Sequence, residues 1–376
     1  MKFKGNPRMV ILSDYWSTLQ ISLIPFMEQV VETHLTEKEK RLVAIMDVIS
    51  VEKHLDHTYH YGRGRKPYDL RSMARAFIAK AALNLTQTKM LREMLLGSAA
   101  LRTICGFESR DRVPSESVFS RSFAAFARVK FGDKVHEALV RTHVGESVVM
   151  HVSRDSTEIV AREKPAVKRD AHPKAPSKRH RGRPRRGESP STCEPSRLVR
   201  QMDRTPEESL AELSCACDVG AKLNSKGHMH WWIGYKLHID WADGGIPLSA
   251  VTTSASVHDS QVAIPLARMT GRKVTCLYEL MDAAYDAEPI RRVCEEMGHV
   301  AIIDTNKRNR KNVPPMDPHR AERYKERTTA ERGNSRLKDC FGLRDIRYRT
   351  HKKVHLCAMF AVIALFADQL IRVFSG

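Results

Sequence analysis

Between residues 36 and 145 the apolar positions recur at helical spacing. Leu42, Ile45, Met46 and Ile49 stand at i, i+3, i+4 and i+7, one face of a helix that Thr36 can cap. Leu70, Met73, Ala74, Phe77, Ile78, Ala81 and Ala82 repeat the pattern. "NLTQ" interrupts it, and Met90, Leu91, Leu95 and Leu96 resume it. After "RDRVP", Ser115 or Ser117 can cap a helix bearing Val118, Phe119, Phe123 and Phe126. Near residue 146 the period changes. "ESVVMHVSRDSTEI" predicts a Val-rich strand with Asp155 near its end, and the hairpin signal "ADGG" separates two more strands. A helix closed by Gly271 follows. Strand, helix and strand come next, with Asp282 ending the first strand and Gly298 the helix. Residues 323–339 predict a charged helix, and residues 355–374 an apolar one interrupted by Asp368 and Gln369.

This order predicts an α/β chain. A mixed sheet flanked by helices takes residues 146–162 and 215–350, after an all-α N-terminal domain over 61–145. Small helices on short turns, studded with Arg and Lys, suit a helix-turn-helix-like DNA reader. Residues 1–60 form an N-terminal extension with one helix, and 351–376 a C-terminal helix packed on the sheet domain. Residues 163–214 are rich in Pro, Ser and Arg and poor in apolar side chains, which predicts a basic, largely disordered insertion.

Charge narrows the function. The 376 residues carry a net charge of +19, which points to a polyanionic partner. The uninterrupted apolar run near the C-terminus is too short to span a bilayer, and no secretory signal opens the chain, so nucleic acid stands ahead of membrane. The cysteines are scattered without a CxxC pair, as expected of a reduced cytoplasmic protein.

Three acids carry the candidate chemistry. Asp155 and Asp282 are placed at strand ends, where open sheets gather their sites. Glu331 lies in the charged helix with Tyr324, Arg327 and Lys338. At i, i+3, i+7 and i+14 these four fall at about 0°, −60°, −20° and −40° round a helix, one narrow face. That face reads either as a solvated surface with an Arg327–Glu331 pair or as an acid set between phosphate-holding cations. Three converging carboxylates repel unless a hard cation joins them, and Mg²⁺ accepts carboxylate and phosphate oxygens together. Two such ions about 4 Å apart suit phosphodiester chemistry.

The spacing Y-x2-R-x3-E-x6-K resembles the signature of bacterial insertion-sequence DDE transposases of the IS-four/IS-five superfamily. "DST" at Asp155, "GYKLH", "VHDS" and "MDAAYDA" resemble its other blocks, in order. "GRGRKPYDL" and the helices after it are similar to the N-terminal part of the IS-five and IS-eleven-eighty-two branches. The resemblance implies a ribonuclease-H-like domain with Asp155, Asp282 and Glu331 as metal ligands for Mg²⁺, with Mn²⁺ able to substitute. Asp155 would bridge both ions. It further implies Tyr324, Arg327 and Lys338 on DNA, a homodimer on terminal inverted repeats and target DNA, and a nucleoid-associated location in a bacterial cytoplasm. A stand-alone nuclease on the same fold and a non-catalytic DNA-binding protein are the alternatives.

Secondary signals add to this. Arg181 and Arg183 lie in "RGRP", an AT-hook-like core suited to a narrow minor groove. His258 and Asp259 are second-rank candidates beside the acids, although Asp259 or Ser260 can simply cap the following helix. Cys215, Cys217, His228 and His230 match common zinc spacings poorly. Trp231, Trp232 and Trp241 read as core or strand-edge aromatics, one of which can stack on a flipped base.

Overall fold

The computed structural model describes residues 35–55, 68–145, 147–166, 195–223, 227–306 and 314–375. Residues 1–34 and the AT-hook-like core with Arg181 and Arg183 lie outside the described residues.

The first helix, α1 (Glu37–Ile49), begins as its sequence predicts. The Thr36 hydroxyl accepts from the Glu39 backbone N–H, and the Glu39 carboxylate accepts from the Thr36 backbone N–H. Next come α2 (Leu70–Ala82), α3 (Thr88–Gly97), α4 (Ala99–Cys105), α5 (Glu116–Arg128) and α6 (Phe131–His143). Ser115 occupies the cap position of α5, but its hydroxyl meets Ser117 instead of a backbone N–H.

The sheet holds β1 (Val148–Val160), β2 (Asp218–Leu223), β3 (Met229–Ala242), β4 (Ile246–Ser254), β5 (Thr275–Met281) and β6 (Val300–Ile303). Its order is β2-β3-β1-β5-β6, with β4 also paired to β3. β3 runs antiparallel to β1, β2 and β4, and β5 runs parallel to β1 and β6. A mixed sheet flanked by helices is as expected, with β2 a sixth strand beyond the five expected. Its helices are α7 (Arg197–Met202), α8 (Pro206–Ala211), α9 (Ser260–Gly271), α10 (Glu288–Glu296), α11 (Pro318–Tyr324), α12 (Thr328–Cys340) and α13 (His351–Ser375).

Four expectations change. First, Asp155 sits inside a longer strand than expected, five residues before its end. Second, α7 and α8 fall within the stretch assigned to the insertion. Leu198, Met202, Leu210 and Leu213 pack against the sheet-side helices, and Arg268 of α9 donates to the Gln201, Met202 and Arg204 carbonyls. The surrounding Pro and Arg mask these few apolar residues in a composition reading. Third, the charged helix is broken. α11 and α12 are joined by a 3-10 turn over Lys325–Arg327, and the Thr328 hydroxyl donates back to the Lys325 carbonyl at 3.0 Å. Fourth, the helical part and the sheet share one core. Residues from α1, α2, α5 and α6 join those of β1, β3, β4 and α13 in a single buried cluster.

That junction is made by α13. By length and composition it could cross a membrane, but its residues from Val354 to Leu370 are mostly buried in this core. Asp368, which interrupts its apolar run, pairs with Arg41, Arg336 and Arg372.

Candidate active site

The parallel pairing of β1 with β5 sets the site. Val152 stands opposite Glu279 and Ser153 opposite Leu280. Two residues further along each chain are Asp155 and Asp282, so the two acids stand side by side where this pairing ends. A buried clasp fixes the strands. Arg154, 1% exposed, donates from Nε and Nη2 to both oxygens of Asp240 on β3 at 2.8 and 2.9 Å. Its Nη1 lies 2.8 Å from Glu279 on β5. A fully buried guanidinium is tolerable only with such partners, and here one side chain ties three strands next to Asp155.

Both acids are uncomfortable as anions. Burial raises the Asp155 carboxyl to about 6, with Lys222 and Arg327 opposing the shift and Asp282 adding to it. Burial raises Asp282 as well, while the Ala284 backbone N–H, donating at 2.9 Å, works the other way. Asn334 of α12 donates to Asp155 Oδ2 at 3.0 Å. Glu331, on the same helix, is mostly exposed and receives Arg327 Nη2 at 2.8 Å. Arg327 Nη1 lies 4.0 Å from Asp155, so one guanidinium stands between Glu331 and the strand acids. Arg327 thus links Glu331 to Asp155, but the oxygens of the three acids do not all come within 4.8 Å of one another.

The remaining candidates divide. The Tyr324 ring lies 5.9 Å from the Arg327 guanidinium carbon, and burial raises its phenol to about 12. Lys338 pairs with Glu158 of β1 at 3.2 Å, so both cations of the motif face carboxylates. Asp259 holds the cap position of α9 without a side-chain cap hydrogen bond; its carboxylate takes Lys236 at 3.0 Å and faces His238 at 3.9 Å. His258 is exposed, and its Nδ1 lies 2.8 Å from the Ser260 hydroxyl. Trp241 is wholly buried, Trp232 nearly so, and Trp231 is 63% exposed. Cys215 and Cys217 turn to separate carbonyls, of Leu213 and Glu163.

Sequence reasoning missed Arg154, Asn334, Lys222 and Tyr285. The Tyr285 hydroxyl is buried without a hydrogen-bond partner, and the charges of Asp259, Asp155 and Asp282 reach it. A signal did exist for Arg154 and Asp240: a charge inside each of two apolar strand patterns.

Residues 200–367 match the family model of a transposase DDE domain. This match supports a DDE transposase. Residues 29–125 match a second model, a transposase domain (DUF772), and together the two indicate a DNA transposase, a protein of transposition and DNA recombination. No curated protein and no solved structure matches the chain. The mixed sheet flanked by helices is consistent with a ribonuclease-H-like DDE domain. Asp282 and Glu331 fall inside the match to the DDE domain, whereas Asp155 precedes it. β1, which bears Asp155, is nevertheless hydrogen-bonded between β3 and β5, two strands of the matched segment.

Proposed function

We propose that the chain is a transposase of the IS-four/IS-five superfamily that binds the ends of an insertion sequence. It cleaves and joins DNA with Mg²⁺ held by Asp155, Asp282 and Glu331. The observation that carries this reading is the side-by-side placement of Asp155 and Asp282, each held above the usual carboxylate range by burial. Two buried acids that repel each other are a poor surface feature and a good oxygen cradle for a hard cation. Mg²⁺ and Mn²⁺ both fit this all-oxygen donor set. The bound metal would supply activation of the attacking oxygen and charge stabilisation at the scissile phosphate.

The chain's own residues do the rest. Asn334 orients Asp155, and the Arg154 clasp keeps β1 and β5 in register beneath both acids. Glu331, exposed on α12, closes the set from the DNA side. Arg327 exchanges carboxylates for phosphate when DNA arrives, with Tyr324 supporting its guanidinium and Lys338 gripping further along the strand. Asp259 and His258 act at one remove from the acids. Arg181 and Arg183 add minor-groove contacts, the N-terminal helices read the terminal repeats, and two copies meet on paired ends in a nucleoid-associated, cytoplasmic complex.

The test uses purified protein, Mg²⁺ and labelled element-end DNA. Asp155→Asn, Asp282→Asn and Glu331→Gln should each bind the DNA yet lose cleavage by at least about a hundredfold. A strand-transfer product from the unsubstituted protein separates a transposase from a nuclease. Normal cleavage by any one of the three variants would remove that residue from the site.

A further inference from the structure

We propose a second metal site, for one zinc-class divalent cation, at Cys276 and Glu279 of the strand that leads to Asp282 and at His299 beside it. One atom from each of these buried residues lies within 4.8 Å of the others, the one such grouping of His, Cys, Asp and Glu among the described residues. Cys276 Sγ is 3.2 Å from His299 Nδ1, and that nitrogen is 2.8 Å from Glu279 Oε1. Ligands at about 2.0–2.3 Å round a tetrahedral zinc stand slightly further apart than this, so a small outward movement admits the ion. Sulfur, imidazole and carboxylate together suit zinc and not Mg²⁺, which sets this site apart from the all-oxygen one.

The two oxygens of Glu279 are divided in the manner of a metal-ligating carboxylate. Oε1 faces His299, while Oε2 faces the Arg154 guanidinium at 2.8 Å yet accepts no aligned hydrogen bond. A carboxylate held by a cation on one oxygen and open to a metal on the other is the usual outer-shell arrangement. Cys294 also lies against Glu279. Binding would form a metal–sulfur bond and release the Cys276 proton to solvent. The three ligands are buried, so the role is structural: they tie β5 to the turn before β6, with Glu279 three residues before Asp282.

Metal analysis of the full-length protein, equilibrated with equimolar zinc and desalted, tests this. One zinc per chain is expected, and Co²⁺ loading should give a thiolate-to-cobalt band in the near ultraviolet. Cys276→Ser should lose that band, and Asp155→Asn should keep it, which separates this site from the acids of the proposed active site. Chelation of the unsubstituted protein should lower its melting temperature, and added zinc should restore it. No retained zinc and no thiolate band in the unsubstituted protein would overturn the proposal, whether or not Cys276→Ser folds. So would a band unchanged in folded Cys276→Ser.

Discussion

Asn334 shows what a single residue contributes at the acid site. It is nearly buried, and its amide holds one oxygen of Asp155 in place. On the proposed reading, Asn334→Ala frees that carboxylate, and losing such a partner typically costs about 10–100-fold in metal affinity. A Mn²⁺ titration of the variant should show that loss; an unchanged affinity would mean that Asp155 needs no such support. Protons report on the buried groups in another way. Burial holds His136 at about 3 and His238 at about 4, so both stay neutral in the folded chain when unfolded histidine, near 6.5, protonates. The unfolded state then binds more protons, and stability falls below pH 6.5 by about 1.4 kcal/mol per unit for each histidine. Asp155, raised to about 6, acts with the opposite sign between about pH 6 and 4, because there the folded state holds the extra proton. Asp282, also raised, adds to that gain, but burial lowers His143 and His351 too, so a net loss remains. Urea midpoints should therefore fall from pH 7 to pH 5, and a rising midpoint would mean that the raised carboxyl outweighs the histidines.

At the scale of elements, periodic stretches were legible and their interruptions were not. The face of α1, its Thr36 cap, the β3–β4 hairpin at "ADGG" and the position of Asp282 all follow from local patterns. The break at Lys325–Arg327 does not, because a hydroxyl competing for one carbonyl leaves the helical composition unchanged. Nor does the Arg154 clasp, whose partners are 86 and 125 residues away in sequence. Gly333 of α12 makes the same point. By propensity alone Gly333→Ala should stabilise a helix by up to about 1 kcal/mol. A Cβ there would meet the ring of the wholly buried Trp241 at 2.6 Å. Overpacking of this kind costs about 1–3 kcal/mol, and it would push Glu331 and Asn334 away from Asp155. Gly333→Ala should thus melt lower and cleave more slowly; a higher melting temperature would show that α12 shifts freely on the sheet.

For the whole molecule, the sequence suggests a helical domain followed by a sheet domain, but the packing joins them. Phe77, Phe123 and Phe131 come from three N-terminal helices, and all three rings lie near Phe360 of α13, with centroids 5.7, 6.0 and 6.3 Å away. Phe123 also stacks on Tyr348 at 4.0 Å. Residues 35–145 alone would therefore expose the face that these aromatics and the α13 aliphatics cover. Their own helices cannot replace it, since α13 lies against four of them and α2 is buried on every side from Ser72 to Ala81. Phe360→Ala in the full chain should cost about 3–5 kcal/mol, the usual range for removing a buried aromatic ring. The segment 35–145 expressed alone should lack a cooperative thermal transition, and adding residues 346–376 through a flexible linker should restore one. A sharp transition in the isolated segment would establish a self-sufficient N-terminal domain, with α13 an accessory to it.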